Sequence, residues 1–137
     1  MLADYCKILS DVKSIAVVGI SDKPERDSGA IAKMLKEKGF TIYGVHPVLK
    51  EVFGIPVYPS LAELPEKVDL VDVFLSSDKV PAILKGVQKS GARYLWLQLG
   101  VSSNEAEQFC SSEKIGFVQN RCIAVEYRNC NALKGLL

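Results

Sequence analysis

Histidine occurs once in this chain, at position 46, and no two of the four cysteines (Cys6, Cys110, Cys122, Cys130) form a Cys-x-x-Cys pair. That scarcity leaves no ligand set at zinc-site spacing. Charge of one sign is equally lacking: 17 Lys and Arg face 16 Asp and Glu, for a formal net charge of +1. A general nucleic-acid or acidic-membrane surface needs a basic excess on one face, so neither partner is expected. No apolar run approaches the roughly 18 residues of a membrane helix. The first residues carry Asp4 and Lys7 where a secretory leader needs an apolar stretch, so a cytoplasmic location is expected. In a reducing compartment, four free thiols packed as small hydrophobes follow.

Several catalytic and nucleotide signatures are also missing. There is no Gly-x-Ser-x-Gly elbow, no P-loop and no His-Glu-x-x-His. The dinucleotide fingerprint Gly-x-Gly-x-x-Gly fails because Gly19 is followed, at the next two glycine positions, by Ser21 and Pro24. An NAD site also wants a carboxylate at the end of the second strand for the ribose hydroxyls, where this chain has His46 and Pro47. Ordinary NAD binding is therefore disfavoured.

What the chain does have is alternation. "SIAVVGI", "FTIYGV", "VDLVDVFL", "ARYLWLQL" and "IGFVQ" read as five short strands, several apolar at successive positions as in strands covered on both faces. Helical patterns lie between them. Residues 29–38 align Ile31, Met34 and Leu35, with Gly39 as the stop; residues 78–89 align Val80, Ile83, Leu84 and Val87, with Asp78 as cap and Gly91 as the end. Residues 103–114 align Ala106, Phe109 and Cys110 behind a Ser103 or Asn104 cap, and residues 1–13 hold a further helix, Leu2 to Val12. Four of the six prolines fall between the second and third strands, leaving room for only a short helix near Leu61–Leu64. The chain reads as one Rossmann-like α/β domain spanning residues 1–137: a doubly wound, about five-stranded parallel sheet with helices on both faces. Trp96 and Tyr94 sit in a strand and read as core rather than as a stacking platform for bases.

In such sheets ligands lie beyond the carboxyl ends of the strands, where the winding reverses. The loop after the first strand, "GISDKPERDSG", is placed there. Gly19 gives a tight exit, Lys23 and Arg26 supply charge, Ser21 and Ser28 supply hydroxyls, and the helix starting near Ser28 offers free N–H groups. It reads as an anion cradle.

Five stretches, "AVVGISDKPERDSGAIAKMLKEKGFTIYGVHP", "VFGIPVYPSLAELP", "VDLVDVFL", "WLQLG" and "NRCIAVEY", in that order between Ser14 and Tyr127, resemble the small stand-alone CoA-binding proteins. Their domain is similar to the CoA-binding domain of the succinyl-CoA synthetase α subunit. The resemblance implies binding of coenzyme A or an acyl-CoA through its 3'-phospho-ADP part. It places Gly19, Ile20, Ser21, Arg26 and Ser28 beside the phosphates, and His46 and Pro47 beside the nucleotide. Ser76, Ser77 and Val80 would flank the adenine, and Gln98, Leu99 and Gly100 would line the exit of the pantetheine arm. Where many relatives carry a basic residue just after the third strand, this chain has Leu75-Ser76-Ser77.

Catalytic candidates are few. His46 precedes a proline at a strand end, and the phosphorylated histidine of the synthetase belongs to a second domain. Cys122, beside Arg121, is a possible reactive thiol that could exchange with CoA, although a packed cysteine is the simpler reading; Glu126 reads as an ion-pair partner of Arg121 or Arg128. Non-catalytic binding, regulatory or accessory, is the expectation. The alternative is an NAD(P)- or acyl-CoA-using enzyme, or a subunit of one, with its catalytic residues on another chain. The tail, residues 128–137, has Leu133, Leu136 and Leu137 within helical reach and would dock on its own domain or on a second subunit of a homodimer or other assembly.

Overall fold

The computed structural model describes residues 4–136. All five strands read from the sequence form: β1 (Ser14–Val18), β2 (Thr41–Val45), β5 (Leu70–Val73), β6 (Tyr94–Leu97) and β7 (Gly116–Val118). Two more, β3 (Glu51–Val52) and β4 (Ile55–Tyr58), make an antiparallel hairpin whose second strand pairs parallel with β2. The sheet thus has seven strands rather than about five, in the order β3-β4-β2-β1-β5-β6-β7. The hairpin escapes sequence reading because β3 is two residues long and Pro56 interrupts β4.

The helices are α1 (Asp4–Asp11), α2 (Asp27–Glu37), α3 (Leu84–Lys89), α4 (Asn104–Glu113) and α5 (Ile123–Leu136). α1, α2 and α5 cover one face, burying Leu9, Leu35 and Ile123 against Ile15, Leu70 and Trp96. α3 and α4 cover the other, burying Leu84, Val87 and Ala106 against Val71, Val73 and Leu95. Every residue of β5 is buried, which is why its sequence is apolar on both sides apart from Asp72. Trp96 is fully buried and its Nε1 donates to the Arg121 carbonyl at 2.8 Å, the core role expected of it.

Local chemistry sets the helix ends. α2 stops at a Schellman turn: the Gly39 N–H donates to Lys36 O at 3.1 Å and the Phe40 N–H to Leu35 O at 3.2 Å, with Gly39 at φ +105. α4 starts at Ser103, whose hydroxyl accepts the Ala106 N–H at 3.1 Å. The helix expected over 78–89 is corrected. Ser77–Lys79 and Pro81–Ile83 form 3-10 turns, α3 begins at Leu84, and Asp78 does not cap it. Pro81 has no N–H to donate to Ser77, so an α-helical turn cannot close there.

The expectation of four free thiols is also corrected. Cys6 on α1 and Cys130 on α5 are joined by a disulfide, with Cα atoms 5.6 Å apart across a sequence separation of 124. The bond depends on α1 packing against α5, a tertiary contact that cysteine spacing does not encode. Cys110 is free and buried in the core, where burial pushes its thiol up to about 11. α1 covers the middle of the expected N-terminal helix, whose Leu2 lies outside the described residues. The tail forms the last turns of α5; Leu137 and the side chains of Leu133 and Leu136 lie outside what is described.

Candidate functional site

The chain winds from β1 to β2 in one direction, then returns to β5 on the other side of β1 and continues to β6 and β7. The reversal lies between β1 and β5, and parallel registry brings their ends level: Val18 pairs with both Val45 and Val73, and Val73 with Leu97. The next residue on each strand extends the ladder. Gly19 N–H donates to Val45 O at 3.0 Å, Phe74 N–H to Val18 O at 2.9 Å, and Gln98 N–H to Val73 O at 3.2 Å. Beyond these residues the loops part around a crevice of about 900 Å³.

One wall is the β1–α2 loop, which brings Gly19, Ile20, Ser21, Lys23, Arg26 and Ser28 to the crevice. Two glycines shape it. Gly19 leaves β1 at φ +85, with the Leu75 side chain 3.1 Å from where a Cβ would stand. Gly29 lies in the first turn of α2, where a Cβ would collide with the Ser21 carbonyl oxygen and come within 2.9 Å of the Phe53 ring. Its lack of a side chain lets the helix start press onto the loop.

The N-cap of α2 is Arg26, which makes no side-chain cap hydrogen bond. An arginine has no acceptor to offer, so the first-turn N–H groups are left without the partner that Ser103 gives α4. Ser28, 3% exposed, sits in that same turn; its hydroxyl faces the crevice without a hydrogen-bond partner among the described residues.

A second wall follows β2. The Nδ1 of His46 accepts the N–H groups of Val48 at 3.1 Å and Leu49 at 3.0 Å, which places the ring proton on Nε2. His46 therefore folds its own turn and presents Leu49 to the crevice.

The third wall follows β5 and contains Phe74, Leu75, Ser76 and Lys79. Lys79 went unnoticed in the sequence. In a 3-10 turn residues three apart eclipse, so Lys79 stands over Ser76 and supplies a cation that Leu75-Ser76-Ser77 lacks. Lys23, Arg26 and Lys79 have no ion-pair partner among the described residues, where Arg93 and Arg121 make the salt bridges. Asp22, Glu25 and Asp27 also reach the crevice, so its formal charge cancels. An anion must be held by directed donors rather than by bulk field.

The fourth wall joins β6 to α5 through Gln98, Leu99 and Cys122. Gln98 is 5% exposed, and its Oε1 accepts the Ile123 N–H at 3.0 Å. Arg121 turns away: its guanidinium lies 3.4 Å from Glu126 and 5.3 Å over the Tyr5 ring. The Arg121–Glu126 pairing makes Glu126 structural.

Four residues singled out in the sequence do not line the crevice. Val80 is fully buried and supports the third wall from behind. The Ser77 hydroxyl accepts the Ser102 N–H at 3.0 Å, and the Gly100 N–H donates to Asn120 Oδ1 at 2.8 Å, so both tie neighbouring loops together. Pro47 points outward on the His46 turn. Among the described residues no group of His, Cys, Asp and Glu could hold a metal ion, and no helix is long and apolar enough to cross a membrane.

The family described as a CoA binding domain matches residues 13–128. The chain belongs to that family. As a CoA-binding domain it is similar along nearly its whole length to YneT of Bacillus subtilis (strain 168), at 32% identity over 125 residues, 91% of this chain and 93% of that protein. It is 35% identical over 81 residues to ADP-forming acetate–CoA ligase I of Archaeoglobus fulgidus, a match covering 59% of this chain but 11% of the ligase. The CoA-binding domain is therefore homologous to the CoA-binding region of a much longer, succinyl-CoA synthetase-like enzyme. A solved structure of a protein from Pyrococcus horikoshii OT3 superposes with a TM-score of 0.89 at 34% identity, covering 95% of this chain and 93% of that one. The Rossmann-like fold is common to these structures.

Proposed function

We propose that this chain is a non-catalytic CoA-binding protein that takes coenzyme A, or an acyl-CoA, by its 3'-phospho-ADP part in the crevice between β1 and β5. The observation that carries this reading is the uncapped start of α2. Its free N–H groups, the partnerless Ser28 hydroxyl and the unpaired Arg26 converge on one side of the crevice. Charge-assisted bonds contribute on the order of 1.5–3 kcal/mol each, so two or three give roughly 4–8 kcal/mol before association entropy is subtracted. Micromolar affinity needs about 8 kcal/mol, so an apolar seat for the adenine is also required. Leu49, Phe74 and Leu75 supply one on the facing walls. Lys79 stands on the same wall as Phe74 and Leu75 and serves as the second anion contact. His46, whose Nδ1 is committed to its own backbone, positions rather than reacts. A regulatory or accessory role fits this reading.

A thermal-shift panel tests this. A ligand that favours the native state raises the melting temperature, so CoA and acetyl-CoA should shift it most, dephospho-CoA and ADP less, and NAD least. Equal shifts for NAD and CoA, or none for CoA, would overturn the reading.

A further inference from the structure

Cys122 lines the crevice beside the end of β6, immediately before α5, and is a free, partly exposed thiol. Its chemistry differs from that of the other cysteines: Cys6 and Cys130 are bonded to each other, and Cys110 is enclosed in the core. An independent feature beside it points to a ligand. Gln98 is nine-tenths buried and lines the crevice, and the Ile123 N–H occupies its Oε1. Its Nε2 has no hydrogen-bond partner among the described residues, so an amide donor faces the crevice next to Cys122. Leu99, 69% exposed, adds an apolar surface at the same mouth. A donor amide, an apolar side chain and a thiol in succession match a chain that carries amide carbonyls and ends in sulfur.

Distances along the sheet agree. From β1, whose loop meets the phosphates, to β6, which carries Gln98, is two strand steps, roughly 10 Å at about 4.8 Å per step. A pantetheine arm can cross that span.

We infer that Cys122 is a thiol-exchange site that captures CoA from its disulfide form, a step that rests on the CoA reading above. Its Sγ, as thiolate after its proton passes to water, attacks one sulfur of CoA disulfide. The CoA–CoA S–S bond breaks and a Cys122–CoA disulfide forms. The second CoA leaves as thiolate and takes a proton from solvent, so the CoA disulfide is itself the oxidant. The advantage comes from proximity: a bound nucleotide holds the reacting sulfur beside Sγ.

The test incubates the full chain with CoA disulfide, or with oxidised glutathione at the same concentration, and follows intact mass and peptide maps. In parallel, CoA is titrated calorimetrically under reductant. The inference expects one CoA moiety added, located on the Cys122 peptide and released by dithiothreitol. It also expects adduct formation at least tenfold faster than with glutathione, and none in a folded Cys122→Ser variant. CoA binding in the calorimeter with no adduct, an adduct elsewhere, or equal rates with the two disulfides would overturn this inference while leaving the binding reading intact. No calorimetric binding would overturn both.

Discussion

Arg26 stands where most helices place a short side-chain oxygen. Serine, threonine, aspartate or asparagine at an N-cap contributes about 1 kcal/mol, and Arg26 forgoes it. A helix start left bare toward a crevice trades stability for a binding surface, and Arg26→Ser should raise unfolding free energy by about 1 kcal/mol in urea titration. Asp72 makes a comparable sacrifice. Both of its carboxylate oxygens are buried on β5 without a hydrogen-bond partner among the described residues, and burial drives its pKa well above the ordinary 3.8. Because the folded state holds this proton more tightly than the unfolded chain, its contribution favours folding below the ordinary carboxylate range. That contribution is lost as pH rises toward the raised pKa. Asp11 and Asp69 act in the opposite sense and in a lower window: hydrogen bonds from Arg93 hold Asp11 below its ordinary value, and those from the Lys13 and Ser14 backbone, against the burial penalty, hold Asp69 there. Asp72→Asn should therefore flatten the decline in urea midpoint above the ordinary carboxylate pKa and leave the acid limb unchanged. A decline as steep as that of wild type would contradict this account.

At the scale of elements, α2 poses a choice between propensity and packing. Alanine is a better helix former than glycine by about 1 kcal/mol, so exposed helical glycines usually gain from replacement. Gly29 should lose instead, since a Cβ there meets the Ser21 carbonyl, and overpacking typically costs 1–3 kcal/mol. Chemical denaturation of Gly29→Ala reads the sign; a stabilised variant would show that the loop is free to yield. The same balance of local pattern against tertiary contact explains what the sequence disclosed. Strands buried on both faces announce themselves by apolar runs, so β1, β5 and β6 were legible; the part-buried β2 and edge strand β7 showed by their β-branched and aromatic residues, and Ser103 was one of two residues read as the cap of α4. The β3–β4 hairpin was hidden by Pro56 and by its brevity, and Pro81 concealed the break before α3. On the crevice, the β1–α2 loop could be read from its residue types. Lys79 could not, because its approach depends on a 3-10 turn in place of the expected helix.

For the whole molecule, two consequences of topology stand out. The first and last helices pack side by side and are joined through Cys6 and Cys130, closing nearly the entire chain into one loop. Chain entropy assigns such a loop a stabilisation of roughly 4–5 kcal/mol, and the actual value is often smaller. Reduction should lower the urea midpoint of the wild type but not that of a Cys6→Ala variant; equal midpoints for oxidised and reduced wild type would contradict this role. The second consequence is the crevice itself, which exists because the winding reverses between β1 and β5 and which gathers groups from four separate loops. Its central claim, that those groups hold coenzyme A, is tested most directly by calorimetric titration of CoA into the wild type and Arg26→Ser. The account expects saturable one-to-one binding to the wild type and a loss of about tenfold or more in the variant, the worth of one charge-assisted contact. No binding, or equal affinity in the two proteins, would contradict it.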